Sequence, residues 1–235
     1  MNPHMGSGGG SPGGLGARPA EGVIQFEAVH QTRPLEEHVY GETARELAAW
    51  REVMTRLGLL GQHPERYEGL GYGNVSARLG PMGNMTQGRR RFLITGTQTG
   101  GRRMVSLEDF CVVERHDLAA NRVVSFGPVE PSSEALTHGA IYDAAPAARA
   151  VLHGHSPEIW RHARALRLPV TGAHALNGTP EMAREVTRLI RESAAAELGI
   201  LVMGGHPDGV LTFGRSAAEA GGALVRHLAR ACALG

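Results

Sequence analysis

Four short runs dominate the middle of the chain: NVSARL, RFLIT, FCVVER and RVVSF. Each is rich in β-branched or aromatic residues and is bounded by Gly, Asn or Asp, as strands are. FCVVER and RVVSF flank HDLAAN and predict a hairpin. The flanking pattern is helical. From Glu42 to Leu57, the residues Leu47, Trp50, Met54 and Leu57 recur at helical spacing, and Gly58 is a plausible stop. A loop, GQHPERYEGLGYG, separates this helix from the strands. Glu134 to Ala144 reads as a short helix after Pro131, with Ser132 and Ser133 as candidate caps, and AVLHGH follows as a strand. Thr179-Pro180-Glu181 starts a helix that runs to about Ala196. ILVM and VLTF are strands joined by GGHPDG. Ser216 and Glu219 form a capping box before a last helix with Leu224, Leu228 and Ala231 on one face. This order predicts a single α/β domain with a central, mostly antiparallel sheet and helices on its faces.

At 235 residues the chain suits one domain with one core. Residues 1–22, MNPHMGSGGGSPGGLGARPAEG, are dominated by Gly, Ser and Pro and offer almost nothing to bury. They are expected to form a disordered tail, with the folded domain spanning 23–235. The formal net charge of +1 gives no electrostatic case for nucleic acid or an anionic membrane as partner. No apolar run of about 18 residues predicts a transmembrane helix. Two distant cysteines, Cys111 and Cys232, make no disulfide framework, and no export signal is visible, so a reducing cytoplasm is expected.

All 24 basic residues are arginine, since the sequence contains no lysine. Schiff-base chemistry on a substrate carbonyl, covalent pyridoxal phosphate and a Walker-type phosphate loop are therefore excluded. With 12 histidines against two cysteines, any metal should be held by His and carboxylate.

His153 and His155 lie two apart in a predicted strand, so both rings share a face and can converge on one ion; Gly154 leaves room on the other face. The alternative is two ordinary polar strand residues. His206 sits in the tight turn GGHPDG, either in solvent or as a third ligand placed by rigid strands. Glu134 opens a short helix, where it either serves the helix dipole or acts beside an ion as ligand or proton carrier. Ser132 and Ser133 either cap that helix or present hydroxyl and N–H groups to an anion. Asn74 and Ser76 in GYGNVSAR, and the hydroxyl-rich loop TGTQTGG, read as turns or as places where backbone meets a ligand. Arg89-Arg90-Arg91 and Arg102-Arg103 read as solvated surface, or as a preference for a carboxylate substrate.

Four elements in order are GNVSAR, LITGTQTG, PSSE followed by H-x-H-S, and a late strand-turn with a third His. Together they resemble the class II aldolase/adducin family over roughly Trp50 to Leu228. The resemblance implies an α/β fold assembled as a homotetramer, with sites between subunits. It implies a divalent ion on His153, His155 and His206, with zinc first and manganese, cobalt or iron as alternatives. It implies Glu134 as acid/base, and Asn74, Thr97, Ser132 and Ser133 as the anion site.

The sequence departs from the family pattern in three places. Gln98 follows Thr97 where the family has glycine, and would crowd a phosphate. His206 is followed by Pro207-Asp208-Gly209 rather than directly by glycine. None of Tyr40, Tyr67, Tyr72 and Tyr142 matches the family's proton-donor tyrosines; His174 lies in the matching region and is the candidate donor. The expected activity is that of a lyase, a metal-dependent aldolase that cleaves or forms a C–C bond in a small hydroxy-carbonyl substrate through a metal-stabilised enediolate or enolate. A decarboxylase or epimerase on the same centre, an iron oxygenase, and a non-catalytic adducin-like binding module are the alternatives.

Overall fold

The computed structural model describes residues 21–80 and 86–235. Residues 1–20 of the expected tail lie outside the described residues, whereas Glu21 and Gly22 are placed against the domain. In chain order the elements are β1 (Glu27–Thr32), α1 (Glu37–Arg56), β2 (Gly61–Gln62), β3 (Gly71–Tyr72), β4 (Asn74–Arg78), β5 (Phe92–Thr95), β6 (Phe110–Asp117) and β7 (Arg122–Gly127). They continue with α2 (Ala135–Ala144), β8 (Ala150–His155), α3 (Pro157–His162), α4 (Pro180–Glu192), α5 (Ala195–Leu198), β9 (Ile200–Val202), β10 (Gly209–Gly214) and α6 (Ala217–Cys232).

Eight strands form one sheet in the order β1-β7-β6-β5-β4-β8-β10-β9. Only β1 and β7 pair in parallel; the other neighbours are antiparallel. β2 and β3 make a separate two-stranded ribbon inside the stretch expected to be a loop. Strand side chains alternate between faces, and both faces are covered. Phe92, Ile94, Cys111, Val113, Val151 and Leu211 point to the face packed by α2 and α4. Leu93, Phe110, Val112, Leu152 and Val210 point to the face packed by α1, α3 and α6. The result is a single mixed α/β domain with a large, mostly antiparallel sheet between helical layers. Among the described residues no helix is long and apolar enough to cross a membrane.

Several boundaries differ from the sequence reading. α1 starts at Glu37 rather than Glu42, and its buried stripe is Ala44, Leu47, Arg51 and Met54. Leu57, expected on that stripe, is 43% exposed. β1 carries polar residues and pairs on one side only, so its alternation is too weak to read. The helix expected to reach Ala196 stops at Glu192. Ser193 is extended (φ −135°), its hydroxyl donates to the Leu189 carbonyl, and a separate short helix, α5, follows. α3 was not expected; Ser156 caps it by accepting from the Ile159 N–H, and Pro157 sits in its first turn. At α6, Ser216 accepts from the Glu219 N–H, but the Glu219 carboxylate takes the Arg215 N–H rather than closing the box.

Candidate metal centre

β8 lies between β4 and β10, with Asn74 opposite His153 on one side and Leu211 opposite it on the other. The strand alternation sends His153 and His155 to the α2/α4 face. Gly154 faces the other way, where a Cβ would stand 2.9 Å from the Leu59 carbonyl oxygen and 3.0 Å from Met54 Cε. A side chain there would press on the α1 layer, so glycine at this position lets the strand lie close to α1 while both imidazoles face the opposite side.

His206 reaches the same place from the turn between β9 and β10. The turn is pressed against the 171–175 segment: a Cβ on Gly205 would overlap the Ala175 carbonyl, and one on Gly204 the Thr171 carbonyl. The three ring centroids are 5.0 Å (His153–His155), 5.2 Å (His153–His206) and 4.6 Å (His155–His206) apart. All three residues are buried. One nitrogen from each, with a Glu21 carboxylate oxygen, lies within 4.8 Å of the others.

The fit to a cation rests on the unpaired atoms. His153 Nδ1 donates to the Val210 carbonyl at 3.1 Å, which leaves Nε2 as the lone-pair atom. Among the described residues, His153 Nε2, both ring nitrogens of His155, and both carboxylate oxygens of Glu134 are buried without a hydrogen-bond partner. Buried polar groups left unpaired each cost about 1–3 kcal/mol, so this concentration on one spot calls for a shared partner. Burial pushes His153 down to about 4 and His155 well below the usual imidazole range, so both are held neutral, as ligands must be. A set of imidazoles and carboxylates fits a divalent ion.

Glu134 occupies the N-cap position of α2, one residue before the helix proper, and its Oε1 lies 3.7 Å from His206 Nδ1. Its side chain makes no cap hydrogen bond; the Ser132 hydroxyl accepts from the Glu134 N–H instead. Burial pushes the Glu134 carboxyl up, against a smaller downward pull from His206. In His206 the downward push of burial is overcome by Glu21, whose Oε2 is 2.8 Å from Nε2, and the imidazole is raised overall.

Asn74, Thr97, Ser132 and Ser133, expected to bind an anion, line one small pocket with Gly71, Gly73, Gly96 and Gly100. Gln98 takes the left-handed conformation (φ 55°) at the position where the family pattern has glycine. His174 is exposed, with its ring over Gly172, and makes no hydrogen bond to the three imidazoles.

Other residues at the site were not anticipated. Tyr67 packs its ring 4.4 Å from that of His155 and donates to Asp208 Oδ2 at 2.7 Å. His138, on α2, is fully buried and shares a hydrogen bond with Ser76 Oγ (2.7 Å), which also meets Tyr142 OH (2.8 Å). Its place four residues after Glu134 on one helix face was the signal that could have found it. Arg51 carried no signal, since a lone arginine on an apolar stripe reads as surface. Glu21 was hidden in a Gly-rich stretch.

Fold and cluster together define an α/β protein with a histidine–carboxylate site suited to a metal ion. The profile of the "Class II Aldolase and Adducin N-terminal domain" matches residues 63–234, and the chain belongs to the class II aldolase/adducin family. Among solved structures, the L-fuculose-1-phosphate aldolase of Thermus thermophilus is similar at 21% identity and TM-score 0.57, covering 83% of this chain and 93% of that one. A sugar-phosphate aldolase from Thermotoga maritima is similar at 18% identity and TM-score 0.57, covering 83% and 97%. An aldolase II superfamily protein from Pseudomonas syringae is similar at 19% identity and TM-score 0.57, covering 85% and 76%. These likenesses establish the fold. A search of curated proteins gives no match.

Proposed function

We propose that the protein is a metal-dependent lyase of the aldolase type, acting on a small hydroxy-carbonyl compound. The observation that carries this reading is the set of unpaired buried nitrogens on His153 and His155, gathered with His206 beside the unpaired Glu134 carboxylate. His153, His155 and His206 would hold the ion. When bound, a divalent ion supplies Lewis acidity toward a substrate carbonyl and its neighbouring oxygen.

The chain's own residues supply the rest. Glu134 is buried and raised toward the neutral form, so it can hold a proton at Oε and exchange it with substrate carbon. Asn74, Thr97, Ser132 and Ser133 offer amide and hydroxyl groups to an anionic or polyhydroxy end of the substrate. Tyr67 walls one side of His155. His174 would serve as proton donor only if its exposed loop closed over the substrate. Zinc as the resident ion, a homotetramer and a cytoplasmic setting belong to the same reading, on the family resemblance and the low cysteine content.

The test is metal analysis of the purified protein together with a panel of hydroxy-ketone phosphates, unphosphorylated aldols and β-keto acids. Chelation should abolish turnover, and His155→Ala should lose both metal and activity. An active, metal-free His155→Ala protein would refute the proposal. Turnover of β-keto acids alone would move the reading to a decarboxylase, and inversion at a carbinol centre to an epimerase. A well-folded protein that takes up no divalent ion would instead favour an adducin-like binding module.

A further inference from the structure

Glu21 and Gly22 lie across the site rather than beside it. The Glu21 carboxylate is 2.8 Å from His206 Nε2 and 3.8 Å from His155 Nε2, inside the space that the three imidazoles enclose. One residue later the Gly22 carbonyl accepts from the Thr97 hydroxyl at 2.9 Å. Gly22 has φ +71°, and a Cβ added there would stand 3.7 Å from Gln98 Cγ and 3.9 Å from the Gly71 carbonyl oxygen. The two residues thus engage both halves of the site, the imidazole cluster and the pocket of Asn74, Thr97, Ser132 and Ser133. With them in place that pocket keeps a cavity of about 10 Å³. Such a space is on the order of one water molecule. With Glu21 and Gly22 in place, that space is too small for a phosphate, carboxylate or sugar end.

The segment's polar contacts are made to the site rather than to the sheet. The chain is fixed from Ile24 onward: Ile24 packs against the core, the Gln25 carbonyl accepts from Asn121 Nδ2 at 2.9 Å, Phe26 is buried, and β1 is zipped to β7 from Glu27. Before Ile24, among the described residues, the side-chain hydrogen bonds of Glu21 and Gly22 are made to His206 and Thr97, both residues of the site itself.

We propose that Glu21-Gly22 is a tethered occupant of the substrate site. The Glu21 carboxylate acts as a fourth ligand beside the three imidazoles, and Gly22 closes the anion pocket, until a chelating substrate displaces both. The inference rests on the metal reading above. A carboxylate on a short tether competes at a high effective concentration. If it leaves the site open about one-tenth of the time, the apparent affinity of an incoming ligand falls about tenfold. The device would disfavour ligands that reach only one half of the site, and favour those offering both a paired-oxygen chelate and an anionic or hydroxylated end.

The test uses the full chain as wild type, Glu21→Gln and His155→Ala, with cobalt(II) as a visible-absorbing ion and acetohydroxamate as a paired-oxygen probe. Glu21→Gln should hold cobalt about tenfold more weakly, shift its visible absorption, and bind acetohydroxamate about tenfold more tightly. A purely structural role for Glu21 would not move ion and probe affinity in opposite directions. Identical cobalt spectra and probe affinities in wild type and Glu21→Gln overturn the proposal. Failure of the metal reading looks different: wild type takes up no cobalt, or His155→Ala binds it as well as wild type. In that case the tethered ligand falls with the site.

Discussion

Arg51 offers a sharp test of how the pocket of Asn74, Thr97, Ser132 and Ser133 is held. It is 1% exposed, on the buried stripe of α1. Its guanidinium donates to the carbonyls of Thr99, Gly100 and Arg102, and so fixes the loop that forms one wall of the pocket. Arg51→Met keeps much of the aliphatic stem and removes every donor. Hydrogen bonds from charged groups contribute about 1.5–3 kcal/mol each, so three would sum to roughly 5–9 if they were independent. They share one group and are not. The Arg102 end is exposed and can turn to water. Removing the guanidinium also returns a burial cost, visible in the downward push that burial exerts on it, on the order of a few kcal/mol. The net loss should be about 3 kcal/mol. For a domain above 150 residues each kcal/mol is about 2–4 °C in Tm, hence a drop of roughly 6–12 °C. Urea unfolding gives the free energy and thermal denaturation the shift. Arg51→Lys, which keeps the charge but not the fork, should fall in between. If Arg51→Met unfolds within about 0.5 kcal/mol of wild type, water satisfies those carbonyls and Arg51 is no anchor.

Gly100→Ala should be damaging, because a Cβ would sit 2.6 Å from the Tyr72 nitrogen and 2.7 Å from the Gly71 carbonyl carbon, and backbone cannot step aside cheaply. A cost of about 1–3 kcal/mol is expected in urea unfolding; a neutral result would show that the 71–73 segment moves freely. Glu185 is pulled down to about 2 by hydrogen bonds from Arg188 and from the Gly172 N–H. Its folded value lies below the ordinary 4.5, so its contribution is full above 4.5 and is lost as pH falls toward 2. Glu185→Gln should therefore melt below wild type near neutral pH, with the gap narrowing through that window; a gap that is constant with pH refutes the pairing. Zinc at about 100 times its Kd should add about 2.7 kcal/mol to stability, roughly 5–10 °C in Tm. His206→Ala should abolish that increment, and an unchanged increment would remove His206 from the ligand set.

What the sequence made legible was whatever had a period. β4 to β10 were visible because their apolar residues are largely β-branched or aromatic and most are bounded by turn residues. The same period places His153 and His155 on one face from the spacing alone. Contacts made across the fold were not legible. The parallel β1–β7 pair depends on an edge strand whose pattern, EAVHQT, is mostly polar. Arg51 is buried only because a loop far along the chain offers it carbonyls. Glu21 lies in a stretch whose composition argues against structure, and the imidazole that holds it is 185 positions away.

The register of β8 ties fold and site together. A one-residue slip in a strand sends every side chain to the opposite face. In β8 such a slip would turn His153 and His155 into the α1 layer, where Leu59 and Met54 leave room for no more than the glycine now there. It would also move Val151, now buried against the α2 layer, away from that core. One pairing therefore satisfies both apolar faces and aims both rings at His206 and Glu134. It follows that substitutions at Gly154 should act on the site through the sheet. Gly154→Ala has to displace the Leu59 carbonyl or Met54 Cε, and the displacement is transmitted to the two residues flanking it, which are the imidazoles themselves. Loss of cobalt affinity in Gly154→Ala, with the fold retained by circular dichroism, is the expected outcome. Unchanged affinity would show that the strand absorbs a methyl group without moving its neighbours.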